Sequence, residues 1–442
     1  MPHAAAVSIP LALYFASTLA GGPVGRPPAD TPSALHGYAR AAIAPDATAA
    51  QAACARLRAE GPAGLDALLN EHQAVLQRGA KDPLWPRVTE AIDKVAAQKD
   101  AFASRLYWYT DLEQAKAAAR ASGRPILSLH LLGRLDQDLS CANSRFFRTS
   151  LYADPKVSAL LREHYVLHWE SERPAPKITI DFGDGRKLER TVTGNSVHYV
   201  LDADGRPVDA IPGLAGAGMF RAELSDDAEL ERSLRGLTPA ERAARLSKYH
   251  AIKRAVLNEE WPAFLVDAKP RSDAPTALAA APLARTKAMV QGPSVRALSL
   301  LEWGDAPSTP TALEKDPRFA ALIEAHRADA RLDPACVALM RLKEGPGSGA
   351  PEGADEAGFA RMVTTFEDAI ARDQALNHYV FHARVHGWFA EQGMAPTLAS
   401  LDRGIYQQLF LTPASDPWLG LVPADTYTAT DRGGLLVLDQ AR

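Results

Sequence analysis

Cysteine is scarce: three residues, Cys54, Cys141 and Cys336, stand far apart in a chain of 442. That number and spacing exclude a disulfide framework and the short Cys pairs of structural zinc sites, so stability must come from packing. A surplus of positive charge is also missing. Lys and Arg total 49 against 53 Asp and Glu, a net charge of −4, which leaves no basic field to displace counterions from a phosphate backbone and argues against nucleic acid as a partner. Long apolar runs are absent as well. The longest uncharged apolar stretch, residues 4–20, falls short of the roughly 20 residues that cross a bilayer and contains Pro10, so no integral membrane span is expected. What the chain does have is 47% hydrophobic residues over a length that suits two to four domains at roughly 100–200 residues each.

Residues 4–20 are followed by Gly21, Gly22 and a Pro-rich run, the layout of a secretory apolar region with a small-residue cleavage site after Ala20. Residues 1–22 are therefore expected to be a signal peptide, and the protein periplasmic or secreted. Against this, the segment ahead of it holds only Met1, Pro2 and His3, with no Lys or Arg, as in a disordered or mis-started N-terminus of a cytoplasmic chain. No cysteine lies near the site to carry a lipid.

Three regions follow. Residues 31–105 read as helices, with Ala49, Ala52, Ala53 and Leu57, then Leu65, Leu68, Leu69, Val75 and Leu76, recurring at helical spacing, and Cys54 as a small core residue within that pattern. Residues 106–224 change period. The order is helix (111–122), strand (125–132), two helices (141–150 and from Pro155), strand (165–170), a hairpin turning at Asp184-Gly185, a second hairpin turning at residues 202–205, and a helix from Gly218, the pattern of an α/β layer sandwich. Residues 225–442 are expected to be mostly helical, with linkers at 269–282 and 345–358.

One set of segments carries chemistry: Arg124-Pro125-Ile126-Leu127, then Cys141-Ala142-Asn143-Ser144, then Asp154-Pro155-Lys156-Val157, then residues 166–170, and later the hairpin of residues 198–208 followed by Gly213. This set resembles the thioredoxin-like superfamily over about residues 106–224, a quarter of the chain. The resemblance implies an α/β thioredoxin-like sandwich between N-terminal and C-terminal α-helical regions, with a reactive thiol, Cys141, at a helix start. There the unpaired N–H groups and the helix dipole favour thiolate, lowering a pKa of about 8.5 to somewhere in roughly 3.5–7.5. Arg145 and Arg148 follow within two turns.

The departures narrow the function. Ser144 stands where the family's second cysteine would, so two-thiol turnover is excluded, and Ser144 is expected only to donate a hydrogen bond to the thiolate. Leu129 stands where the family commonly has a buried acid, Ser196 or Val197 where it has a cis-proline, and an insertion, Gly-Arg-Leu-Asp-Gln-Asp-Leu-Ser, precedes Cys141. Three readings remain: monothiol (Cys-x-x-Ser) exchange with protein thiols or disulfides through Cys141, a substrate-trapping or chaperone-like role, and a non-catalytic protein-binding or assembly module built on the same fold. No cofactor is expected.

Other candidates rank below. His378, His382 and His386 fall at i, i+4 and i+8, where two neighbours could share a metal ion. The third lies about 12 Å from the first. No HExxH pattern is present, and Glu367, Asp368 and Asp373 lie upstream, so the row is expected to be metal-free. Residues 213–218 lack the spacing of a phosphate loop. Cys336, in a first helical turn, and the scattered tryptophans are assigned to packing.

Overall fold

The computed structural model describes residues 31–191, 194–260, 317–344, 356–391, 396–410, 412–417 and 419. Residues 1–22, expected to be a signal peptide, the linker expected at 269–282, Trp303 and Trp418 lie outside the described residues.

The N-terminal region is a helical layer with a core of its own. Helices α1 (Pro32–Ala41), α2 (Ala47–Ala59), α3 (Pro62–Glu71), α4 (Gln73–Arg78), α5 (Trp85–Ala96) and α6 (Ala101–Ser104) begin at signals visible in the sequence: Thr31 and Asp46 accept from backbone N–H groups of the first turn, and Pro32 and Pro62 sit where no hydrogen bond is lost. Leu57, Leu65, Leu68, Val88, Ile92 and Val95 pack together, with buried Cys54 among them.

The next region is a four-stranded mixed sheet with helices against it. Asp111 caps α7 (Leu112–Ser122), and Gly123, at φ 65°, ends it. Strand β1 (Ile126–Leu132) then runs parallel to β2 (Val166–Arg173) and antiparallel to β5 (Ser196–Leu201), which pairs with β6 (Pro207–Pro212), giving the order β2-β1-β5-β6. Every residue of β1 is buried, as an apolar run without alternation requires of an interior strand covered on both faces. The crossover from β1 to β2 contains α8 (Ala142–Phe146), a π-helical turn (Phe147–Leu151) and α9 (Pro155–His164), capped by Asp154. The Asp184-Gly185 turn forms as expected, but β3 (Lys177–Asp181) and β4 (Lys187–Thr191) make a separate two-stranded ribbon rather than joining the sheet. One face of the ribbon carries Ile178, Ile180 and Leu188, which are only half-buried, and the other is exposed, so apart from Thr191 the ribbon stays outside the core.

Helix α10 (Ala217–Leu234) runs straight through residue 224, where a region boundary was expected, and the sheet shares one continuous hydrophobic core with the helices that follow, except that Cys336 and Leu339 form a small cluster of their own with Ala153. Those helices are α11 (Pro239–Glu260), α12 (Pro317–Ala325), α13 (Pro334–Lys343), α14 (Glu356–Leu376), a π-helical turn (Asn377–His382), α15 (Ala383–Glu391) and α16 (Leu398–Gly404). The π-helical turn and α15 both pack on β6, which brings the C-terminal helices against the sheet edge. No helix among the described residues is long and apolar enough to cross a membrane.

Two sheet histidines are buried in the neutral form. His168 on β2 bonds Ser128 Oγ at 2.8 Å, and His198 on β5 bonds Tyr152 Oη at 2.6 Å. Burial lowers their pKa values to about 4, with help from the nearby His130 charge, and to about 3. An unfolded imidazole titrates near 6.5, so the unfolded chain gains protons first and this stability is lost as pH falls from about 6.5 toward 4 and 3. At about pH 5 each should cost about 2 kcal/mol relative to neutrality. His130 acts in the opposite sense: burial disfavours its charge, but hydrogen bonds to Asp402 and Glu172 outweigh burial and raise it to about 9. Its contribution is complete below about 6.5 and is lost as pH rises through about 9. Urea midpoints should therefore fall on both sides of neutrality. A midpoint unchanged between about pH 7 and pH 5 would show that His168 and His198 are not buried as neutral groups.

Candidate functional site

Cys141 is the N-cap of α8, at the end of the loop that follows β1. The expected position at a helix start is therefore present, but the expected accessibility is not: the residue is 0% exposed and belongs to the main core. Gly133, at φ 77°, turns the chain so tightly that a Cβ there would lie 3.1 Å from Ser140 Cα, and the Cys141 N–H returns to the Leu132 carbonyl at 3.0 Å. The loop is held from below by Arg148, whose buried guanidinium donates to the carbonyls of Leu135 (3.3 Å), Gln137 (2.8 Å) and Asp138 (3.3 Å). From the N-terminal region, Lys99 N–H donates to the Leu135 carbonyl at 3.0 Å.

Ser144 is likewise buried, and its hydroxyl lies 2.9 Å from the Cys141 carbonyl oxygen and 2.5 Å from Ser140 Oγ. It caps the local backbone, where the sequence suggested a donor to the sulfur. Arg145 donates to Thr191 Oγ1 at 3.0 Å, and burial brings its guanidinium down to about 10. Leu129 is a core residue of β1, while Ser196 and Val197 open β5 with trans peptide bonds.

The remaining cysteines fit a packing role. Cys54 in α2 and Cys336 in α13 are buried; burial raises both thiols, that of Cys336 to about 12 with the Asp154 and Asp333 charges adding to it. Trp108 and Trp169 are core residues whose indole N–H groups donate to Gln98 Oε1 and the Ala97 carbonyl. Gly213 follows β6 in a positive-φ turn, and residues 213–216 form a loop before α10.

The histidine row lies in a different setting from the one its spacing suggests. His378 and His382 belong to the π-helical turn, His386 to α15, and other elements supply the partners: Asp209 from β6, Glu223, Asp226 and Asp227 from α10, and His250 and Lys253 from α11. His382 Nε2 lies 2.9 Å from Asp209 Oδ2, His386 Nδ1 3.9 Å from Asp209 Oδ1, and His250 Nδ1 2.8 Å from His386 Nδ1, while His250 Nε2 bonds the Val208 carbonyl at 2.9 Å. Lys253 Nζ bridges Glu223 Oε2 at 3.2 Å and Asp226 Oδ2 at 2.8 Å.

Charge is divided unequally among these groups. Burial opposes ionisation of Asp209, yet His382, His386 and His250 hold its carboxyl well below the usual carboxylate range. Asp227 is pushed well above it, by burial first and then by the Asp209 and Glu223 charges. Burial lowers His378 to about 3 and also lowers His386 and His250, whereas Asp209 overcomes burial to raise His382. Both Asp227 carboxyl oxygens and His386 Nε2 are buried without a hydrogen-bond partner. A narrow cleft reaches the cluster and is lined by His378, His382 and Glu223 together with Ile211, Leu214 and Phe220.

The structure therefore separates the two candidates: Cys141 and Ser144 lie at the start of α8, after the loop that follows β1, and the histidine row faces β6 and α10. The sequence reading missed Asp209, Glu223 and His250. A signal existed for the first, a single acid inside the apolar strand Pro207–Pro212, which can be buried only with a partner. Comparison with family models, curated proteins and solved structures finds no match for the chain.

Proposed function

We propose that the protein is a non-catalytic binding or assembly module built on a thioredoxin-like scaffold, with Cys141 as a core residue. The observation that carries this reading is the complete burial of Cys141, because thiol exchange needs a thiolate that a partner's sulfur can reach. The thioredoxin-like part of the reading draws support from the segments that suggested it. Arg124-Pro125 lead into β1, Cys141 caps the helix after it, Asp154-Pro155 start the helix before β2, and the later hairpin is β5 and β6 of the same sheet.

Monothiol exchange through Cys141 is the second reading, favoured by one observation: the residue caps a helix with Arg145 and Arg148 in the following turns. Insulin reduction by wild type, Cys141→Ser and Ser144→Cys separates the two. No activity in any of the three is the expected result. Reductase activity gained by Ser144→Cys, through a bridge from the new thiol to Cys141, would replace the scaffold reading with the exchange reading.

Export belongs to the same proposal, supported by the pattern of residues 4–22. Protein purified from its natural host should begin at or near Gly21. A mature chain beginning at Met1 or Pro2 would favour a reducing compartment.

A further inference from the structure

We propose that the cleft between α10 and the histidine-bearing π-helical turn is a site for a divalent transition-metal ion of the zinc type, with Glu223, His378 and His382 as ligands and Asp209 holding His382 from behind. The sequence reading expected the row to be metal-free because the helix offers no third ligand within reach. Folding supplies that ligand from α10.

The geometry suits one ion. Glu223, His378 and His382 each present a ligand atom, and all three atoms lie within 4.8 Å of one another. His378 Nδ1 and Glu223 Oε1 are 4.0 Å apart, too far for a hydrogen bond and a few tenths of an ångström wider than the roughly 3.3–3.6 Å that two ligands of a tetrahedral ion span, a gap a small side-chain movement closes. His382 Nε2 bonds the Asp209 carboxylate at 2.9 Å, and a carboxylate bonded to one ring nitrogen is how proteins commonly orient an imidazole that binds metal through the other. The π-helical turn supplies both histidines, and such turns within helices are frequent at functional sites.

Asp209, Glu223, Asp226 and Asp227 gather at this cluster, with Lys253 bonded to Glu223 and Asp226.

A second triad, Asp209, His382 and His386, is also compact, but it is sealed and its atoms are already taken: Asp209 Oδ2 by His382, His386 Nδ1 by His250. His378 and Glu223 are 12% and 10% exposed along the cleft, which gives an ion a path in. Two imidazoles and one carboxylate without sulfur match zinc or ferrous iron better than calcium, magnesium or cuprous copper, and three protein ligands leave a coordination position open toward the cleft.

The test is calorimetric titration of chelator-treated full-length protein with Zn²⁺, backed by the ligand-field spectrum of Co²⁺ at the same site. One equivalent of ion is expected, with a rise in thermal stability. Glu223→Gln and His378→Gln should each weaken binding by about 100-fold or more, Asp209→Asn by about 10–100-fold, and His386→Gln not at all. The wild-type result stands whatever the variants do to folding: no saturable binding of Zn²⁺ or Co²⁺ overturns the proposal. Binding that survives Glu223→Gln and His378→Gln but is lost in His386→Gln overturns it too, in favour of the sealed triad.

Discussion

Arg148→Met is expected to lower stability by roughly 3 kcal/mol and to make Cys141 reactive in the folded protein. The guanidinium is buried and serves three backbone carbonyls, those of Leu135, Gln137 and Asp138, all in the loop between β1 and Cys141. A buried carbonyl left without its donor costs about 1–3 kcal/mol, and the loop can avoid part of that cost only by turning its carbonyls to water. Either response loosens the loop that ends at Cys141. Methionine keeps most of the side-chain volume, so the effect reads the lost hydrogen bonds rather than a cavity. Urea denaturation gives the stability change and labelling of Cys141 gives the opening. A variant as stable and as unreactive as wild type would mean that Arg148 does not hold the loop.

The second large effect is expected at Asp209. Asp209→Ala should cost about 3–5 kcal/mol, because His382 is left buried without its counter-charge and β6 loses the group around which His250, His382 and His386 are arranged. Asp136→Ala, which removes an exposed ion pair with Arg134, should cost no more than about 1 kcal/mol. The contrast follows from burial: water screens the second pair and is excluded from the first. Equal costs at the two positions, measured by urea denaturation in chelator-treated protein, would show that the Asp209 cluster is hydrated.

Local structure was legible in the sequence wherever a neighbour in the chain decides it. Asp111 and Asp154 announce their helices, Asp184-Gly185 announces its turn, and the apolar run ending at Leu132 announces an interior strand, because caps, turns and burial on both faces each impose a short-range pattern. The sites were less legible. Cys141 is buried at the end of a loop pinned by Arg148 and by Lys99, neither of which the cysteine motif contains. The histidines show the same limit. Their spacing was plain, but Asp209, Glu223 and His250 arrive from a strand and two helices elsewhere in the chain, and the π-helical turn that carries His378 and His382 leaves no mark in the hydrophobic period. The ribbon of β3 and β4 was read correctly as a hairpin, while its separation from the sheet rests on strand partners that no local pattern names.

The scaffold reading rests on Cys141 being closed in the native state. The most direct measurement is alkylation of the three cysteines in the full-length chain, followed peptide by peptide by mass spectrometry across a denaturant series. The expected result is that Cys141, like buried Cys54 and Cys336, is modified only at the rate of global unfolding. Contradiction would be Cys141 alone reacting without denaturant, at a rate that titrates below the free-thiol value of about 8.5.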